Sequence, residues 1–203
     1  ISYIDFIRLR QEKGFQDSDK VSLHSLFTGN PGTGKTTVVN LLGRIYKAMG
    51  LLSKGHVVEV GRAELVGEFI GQTAPKVKKK ISEARGGILF IDEAYALYRK
   101  DNEKDFGHEV IEVLIKEMSD GKGDIAIMFA GYPTEMHDFL FSNPGLKSRI
   151  NYSFHFDDYM PEELMQIIRF TAEKRKLILT VEAEKEMNEM IIAGYRNRDK
   201  TFG

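Results

Sequence analysis

The chain has 203 residues, 42% of them hydrophobic and 29% charged, with a formal net charge of -1 and no cysteine. That length predicts one globular domain, or one with a small appendage, burying about 70% of the surface its unfolded chain would expose. Without cysteine, disulfides, thiolate metal sites and cysteine nucleophiles are excluded, and the balanced charge speaks against a broad sequence-independent grip on nucleic acid. No apolar run reaches bilayer length. Ile1-Ser2-Tyr3-Ile4-Asp5 lacks the basic head and apolar stretch of a signal peptide, so the expected location is the cytoplasm. The missing initial methionine leads us to expect a piece of a longer protein.

Taken in order, β-type runs at residues 23–28, 55–60, 87–91, 125–130 and 152–156 alternate with helical stretches. This is the pattern of an α/β fold with a parallel sheet wrapped by helices. The runs at 88–91 and 125–129 are continuously apolar, as strands buried on both faces are. After the first run comes Gly29-Asn30-Pro31-Gly32-Thr33-Gly34-Lys35-Thr36, followed by a helical stretch over 38–49. That octapeptide matches the phosphate-loop pattern G-x-x-x-x-G-K-[ST] in full, in the strand–loop–helix setting the pattern requires. By chance such a match is expected in about one per cent of chains this size. Glycines let the backbone turn its N–H groups around phosphates, and the helix start adds its positive dipole end. Lys35 is then expected at the terminal phosphates and the Thr36 hydroxyl on Mg²⁺.

A helix is predicted to open at Thr73-Ala74-Pro75, with a capping hydroxyl and an early proline, and it carries Lys76, Lys78, Lys79 and Lys80 on a solvated face. The run Ile88-Leu89-Phe90-Ile91 ends in Asp92-Glu93. An acid at the end of such a strand helps hold Mg²⁺, the role expected of Asp92, and Glu93 is placed to act as general base on the attacking water. Downstream, Val110, Val113, Leu114 and Met118 share one face of a helix starting near Gly107. Past Tyr159 the strands stop. Pro161-Glu162-Glu163 starts one helix, and Thr180 caps a second with Ala183, Met187, Met190 and Ile191 on its packing face. The expected division is a nucleotide-binding core over 1–158 and a partial helical lid over 159–203. His24, His56, His108, His137 and His155 never pair at metal-ligand spacing, so no zinc site is expected.

Three motifs together resemble a known family. Gly29 to Thr37, then Phe90-Ile91-Asp92-Glu93-Ala94-Tyr95, then Asn143-Pro144-Gly145-Leu146-Lys147-Ser148-Arg149 are similar to AAA+ ATPases of the CbbX / stage V sporulation protein K group. The likeness includes residues 65–74, Asp105-Phe106-Gly107 and Ala130-Gly131-Tyr132. Gly55-His56 and Asp105-Phe106-Gly107 lie slightly nearer the sporulation side of that group. The resemblance implies a P-loop NTPase with a three-layer αβα core and a helical lid. It further implies hydrolysis of Mg²⁺-bound ATP, a hexameric ring with ATP between subunits, and a protein client that is remodelled. Apart from the resemblance, the short apolar runs and balanced charge lead us to expect no membrane and no nucleic-acid partner, with a local contact at the Lys76 to Lys80 cluster left open.

By the same resemblance, Asn30, Pro31, Thr33 and Thr37 join Gly29, Gly32, Gly34, Lys35 and Thr36 at the nucleotide, and Arg149 is the arginine finger that reaches a neighbour's phosphates. The residues alone leave Phe69 readable as a core side chain or as an exposed aromatic; the resemblance makes Phe69-Ile70-Gly71 a client-gripping pore loop. Two departures stand out. Gly131-Tyr132 occupies the place of a polar sensor, leaving that role unassigned, and the chain stops at Phe202-Gly203 before the arginine expected on a third lid helix. The alternative from another class is a monomeric P-loop GTPase or small-molecule kinase. Asn102-Glu103-Lys104-Asp105 does not have the Asn-Lys-x-Asp order that reads guanine, and nothing marks an acceptor pocket.

Overall fold

The continuously apolar runs become central strands. In the computed structural model, which describes residues 22–99, 105–121 and 123–197, β1 (Ser25–Gly29), β2 (Val57–Val60), β3 (Ile88–Ile91), β4 (Ala126–Gly131) and β5 (Tyr152–Phe156) form one sheet in the order β2-β3-β4-β1-β5. All four pairings are parallel. Every residue of β3 and β4 is buried, because helices cover both faces. Side chains alternate between them: Leu89, Ile91, Ile127 and Phe129 enter one core, and Ile88, Phe90, Ala126 and Met128 the other. The edge strands β2 and β5 are partly exposed. Ile1 to Asp5, Asn102 to Lys104 and Phe202-Gly203, used above, lie outside the described residues.

Helix α1 (Lys35–Ala48) covers one face, with Val39 buried beside half-buried Val38 and Leu42. The opposite face is covered by α2 (Arg62–Leu65), α3 (Thr73–Ala84), α4 (Gly107–Asp120), α5 (Pro133–Ser142) and α6 (Pro144–Arg149). Helices α7 (Pro161–Lys174) and α8 (Val181–Asn197) follow the last strand and pack on each other.

Several expectations need correction. The first four strands start one or two residues later than their runs. Thr73 does not cap α3: it is the first helical residue, and its hydroxyl instead accepts the Gly67 N–H at 3.1 Å. Met190 is 68% exposed, and α8 contains no buried residue, although Ala183, Met187 and Ile191 are half-buried. Thr180 does cap α8, accepting the Ala183 N–H at 3.2 Å. At α7 the Met160 N–H donates to Glu163 at 2.8 Å, so the early acid satisfies one orphan donor.

Helix α1 lies so close to the turn before β2 that a methyl on Gly43 would stand 2.4 Å from the Gly55 carbonyl oxygen. The approach is equally close from the other side, where a methyl on Gly55 would stand 2.3 Å from the Gly43 carbonyl oxygen. Gly43→Ala is therefore expected to lower stability by about 1–3 kcal/mol despite the better helix propensity of alanine, measured as the shift in urea midpoint.

His24 is buried, and its Nδ1 accepts the Ile127 N–H at 3.0 Å, so it must be neutral on that side. Burial lowers its pKa from 6.5 to about 4. The unfolded chain therefore binds the proton first as pH falls. The stabilisation is complete above pH 6.5 and is lost progressively down to about pH 4, amounting to about 3 kcal/mol. Denaturation midpoints at pH 7 and pH 4.5 should show a decline that is about 2–3 kcal/mol smaller in His24→Val.

Candidate phosphate and hydrolysis site

The phosphate loop leaves the C-terminal end of β1. Gly32 and Gly34 take positive φ values of 80° and 89°, and open space lies where a Cβ of Gly32 would stand. Gly34 is then the last residue before α1, so the helix start faces the loop. Thr33 closes the turn by donating its hydroxyl to the Asn30 carbonyl at 2.8 Å. The Lys35 ammonium folds back into the loop, donating to the carbonyls of Gly29 at 2.9 Å and Asn30 at 2.8 Å. Burial lowers its pKa, with the Asp92 carboxylate working in the opposite direction.

At the end of β3 the Asp92 N–H is fixed by the Val60 carbonyl at 3.0 Å, and the Asp92 carboxylate accepts the Glu93 N–H at 3.0 Å. Glu93 itself has φ 48° and ψ 42°, a left-handed conformation costing a non-glycine residue about 1–2 kcal/mol. That backbone turn presents its side chain at the cleft. Gly29, Pro31, Lys35, Asp92, Glu93, Gly131 and Tyr132 line one cavity of about 70 Å³. Lys35 and the adjacent pair Asp92-Glu93, far apart in sequence, are thus brought together. Thr36 is half-buried and Thr37 exposed at the start of α1, neither lining that cavity.

The donor set fits Mg²⁺ and a polyphosphate. It offers one ammonium and adjacent carboxylates around glycine backbone, with the Thr36 hydroxyl at the adjoining start of α1, and hard oxygen ligands suit Mg²⁺. Among the described residues no cluster of three or more His, Cys, Asp or Glu side chains is arranged to hold a metal alone.

Two contacts at this site were not visible in the sequence. The Asn30 amide donates to Asp158 at 2.9 Å, and the Tyr159 hydroxyl donates to the Thr33 carbonyl at 3.1 Å. Both run from the phosphate loop to the segment joining β5 to α7. Tyr95 and Tyr132 also meet beside Glu93, with ring centroids 5.9 Å apart. Burial, followed by the charge of Glu93, pushes the Tyr95 pKa up to about 12. Tyr132, where a polar sensor was expected, therefore lines the cleft as an aromatic.

Phe69 and Ile70 lie between α2 and α3 and are 67% and 88% exposed, so Phe69 is not a core residue. Gly71, with φ +83°, turns the chain back toward α3. Arg149, at the end of α6, is half-buried and does not line the phosphate cavity of its own chain. It donates from Nε to Ser119 and from Nη1 to the Gly145 carbonyl at 3.1 Å. Lysines 76, 78 and 79 are exposed around buried Val77 and Ile81, as a solvated face requires. Lys76 also caps the preceding turn, donating to the Val66 carbonyl at 2.9 Å. No helix among the described residues is long and apolar enough to cross a membrane.

Comparison with known proteins gives a consistent result. The family model for the ATPase family associated with various cellular activities (AAA) matches residues 25–157, and the AAA lid domain matches residues 160–203. The chain is 49% identical over 178 residues to the chloroplastic ribulose bisphosphate carboxylase/oxygenase activase of Cyanidioschyzon merolae, covering 88% of this chain and 60% of that protein. It is 45% identical to protein CbbX of Cereibacter sphaeroides, covering 96% of this chain and 62% of that one. With stage V sporulation protein K of Bacillus subtilis the identity is 47%, over 90% of this chain and 56% of the relative. The chain thus spans about 60% of the length of these curated relatives. Among solved structures, the FIGL-1 AAA domain in complex with ADP superposes with a TM-score of 0.58 at 17% identity, covering 91% of this chain and 60% of that one. That likeness supports the fold.

Proposed function

We propose, because the chain belongs to the AAA family of ATPases, that it binds Mg²⁺-ATP, hydrolyses it, and uses the cycle to remodel a protein client within a homo-oligomeric ring. The observation that carries the reading is the convergence of Lys35, Asp92 and Glu93 on one cleft at the ends of β1 and β3. Lys35 and the residues from Gly29 to Thr37 would hold the phosphates, and Thr36 and Asp92 would hold Mg²⁺. When bound, that ion neutralises charge on the phosphate oxygens. Glu93 orients a water and accepts its proton. Arg149, which does not line its own cleft, would serve the neighbouring subunit's site, where a fixed planar cation stabilises developing charge. The exposed pair Phe69 and Ile70 would grip varied side chains by apolar contact.

A hexameric ring in the cytoplasm is the assembly this reading implies. A monomeric GTPase or small-molecule kinase fits less well, because neither role uses an exposed aromatic loop or an arginine outside its own cleft. Ribulose bisphosphate carboxylase/oxygenase, named in the C. merolae relative, is the first client to assay, and a sporulation factor the next. The deciding test of the ring is ATP turnover against protein concentration in the full-length protein. Specific activity that rises with concentration supports shared sites, whereas concentration-independent activity sinks the ring, the trans arginine and the pore loop together.

A further inference from the structure

Asp105-Phe106-Gly107 stood out in the sequence, and the nucleotide site makes no use of it. Asp105 is buried, its side chain only 4% exposed, and it pairs with the Arg62 guanidinium, 20% exposed. The pairing is two-pronged: Arg62 Nη2 meets one carboxylate oxygen, and Nη1 meets the other at 3.1 Å. Nη1 also donates to the Ala96 carbonyl at 2.7 Å. The carboxylate accepts the Gly107 N–H at 3.3 Å, at the start of α4. Burial pushes the Asp105 pKa up, but the hydrogen bond and charge of Arg62 outweigh it and hold the carboxyl below its usual range.

One guanidinium therefore ties three segments. Arg62 opens α2, the stem of the loop that carries Phe69 and Ile70. Ala96 lies in the short 3₁₀ turn Ala94–Leu97, which begins directly after Glu93. Asp105 sets the entry into α4. There is little slack in the joint, since a methyl on Gly107 would stand 2.1 Å from the Leu97 carbonyl oxygen and 3.0 Å from Arg62 Nη1. The far side of the loop is equally fixed, with Lys76 on the Val66 carbonyl at 2.9 Å and Thr73 on the Gly67 N–H at 3.1 Å. A shift of the turn after Glu93 must move Ala96, and through Arg62 the loop stem.

We propose that Arg62 and Asp105 are positioning residues that couple the hydrolytic segment at Asp92-Glu93 to the exposed Phe69-Ile70 loop. This rests on the reading of that loop as the client-gripping element. Arginine is required because a lysine ammonium cannot bind both carboxylate oxygens and a carbonyl in one plane. Asp105→Asn keeps the shape and an oxygen for the Gly107 N–H but removes the charge.

These 203 residues contain no tryptophan, so Phe69→Trp places the one indole among them on the loop. With Glu93→Gln included to prevent turnover, the indole emission of this parent is recorded with and without Mg²⁺-ATP, alone and combined with Arg62→Lys or Asp105→Asn. Binding of a fluorescent ATP analogue and the thermal midpoint are measured on the same samples. The expected result is an ATP-dependent emission change in the parent that falls at least fivefold in both variants, while analogue affinity stays within twofold. A parent response that persists in both variants overturns the coupling alone. A parent that does not respond overturns the loop reading and the coupling with it. Loss of analogue binding together with a collapsed thermal midpoint assigns the pair to stability and overturns the coupling as well.

Discussion

Glu93→Gln is expected to cut ATP turnover by about 10²–10⁴-fold while leaving ATP binding nearly intact. Binding draws on the loop from Gly29 to Thr37, whose geometry is set by Gly32, Gly34 and the Thr33 hydroxyl and does not depend on Glu93. Glutamine preserves the side-chain volume and can adopt the same left-handed backbone at a similar cost. What it lacks is the capacity to accept a proton from the attacking water. Steady-state hydrolysis and equilibrium binding of a labelled ATP, measured on one preparation, separate the two. A variant that hydrolyses as the parent does would remove Glu93 from the chemistry and leave Asp92 to be tested in its place.

Arg149→Ala is the second large effect, with turnover falling by about 10³–10⁵-fold. Arg149 does not line its own chain's cleft, and Ser119 and the Gly145 carbonyl hold its guanidinium. The loss should therefore be of an unusual kind, in which each subunit keeps a complete set of Lys35, Asp92 and Glu93 yet lacks a partner's cation. Mixing Arg149→Ala with Glu93→Gln provides the check. Some interfaces of a mixed ring then pair an intact Glu93 with an intact Arg149, and activity should reappear from two inactive preparations. Turnover at the parent level in Arg149→Ala alone would instead make it a surface arginine bracing α6 against α4.

How much of this was legible in the sequence depends on how local each feature is. The loop between β1 and α1 was legible because its pattern lies in eight consecutive residues, and the position of Asp92-Glu93 because a wholly apolar strand ends on them. Periodicity also located all five strands and the helix starts at Gly107 and Pro161. It could not give the strand order, because alternation says which side of a strand is buried and nothing about its neighbours. Met190 failed for a related reason: a helix face is buried only where something packs on it, and α8 buries no residue. The Arg62–Asp105 pair spans 43 residues and the Asn30–Asp158 bond spans 128. Neither leaves a pattern in a single sequence, although an aspartate immediately before a helix start was a signal that something there needed a carboxylate.

The two hydrogen bonds from the phosphate loop to the β5–α7 segment have a thermodynamic corollary. Asn30 and the Thr33 carbonyl stand inside the loop, while Asp158 and Tyr159 stand two or three residues before Pro161 begins the lid. If phosphate in the loop disturbs either bond, occupancy of the loop and orientation of the lid are linked. Linkage makes such a coupling reciprocal: if bound phosphate biases the lid by some factor, whatever biases the lid changes nucleotide affinity by that same factor. On that linkage, a contact made only on α7 or α8 would alter phosphate affinity without reaching the cleft.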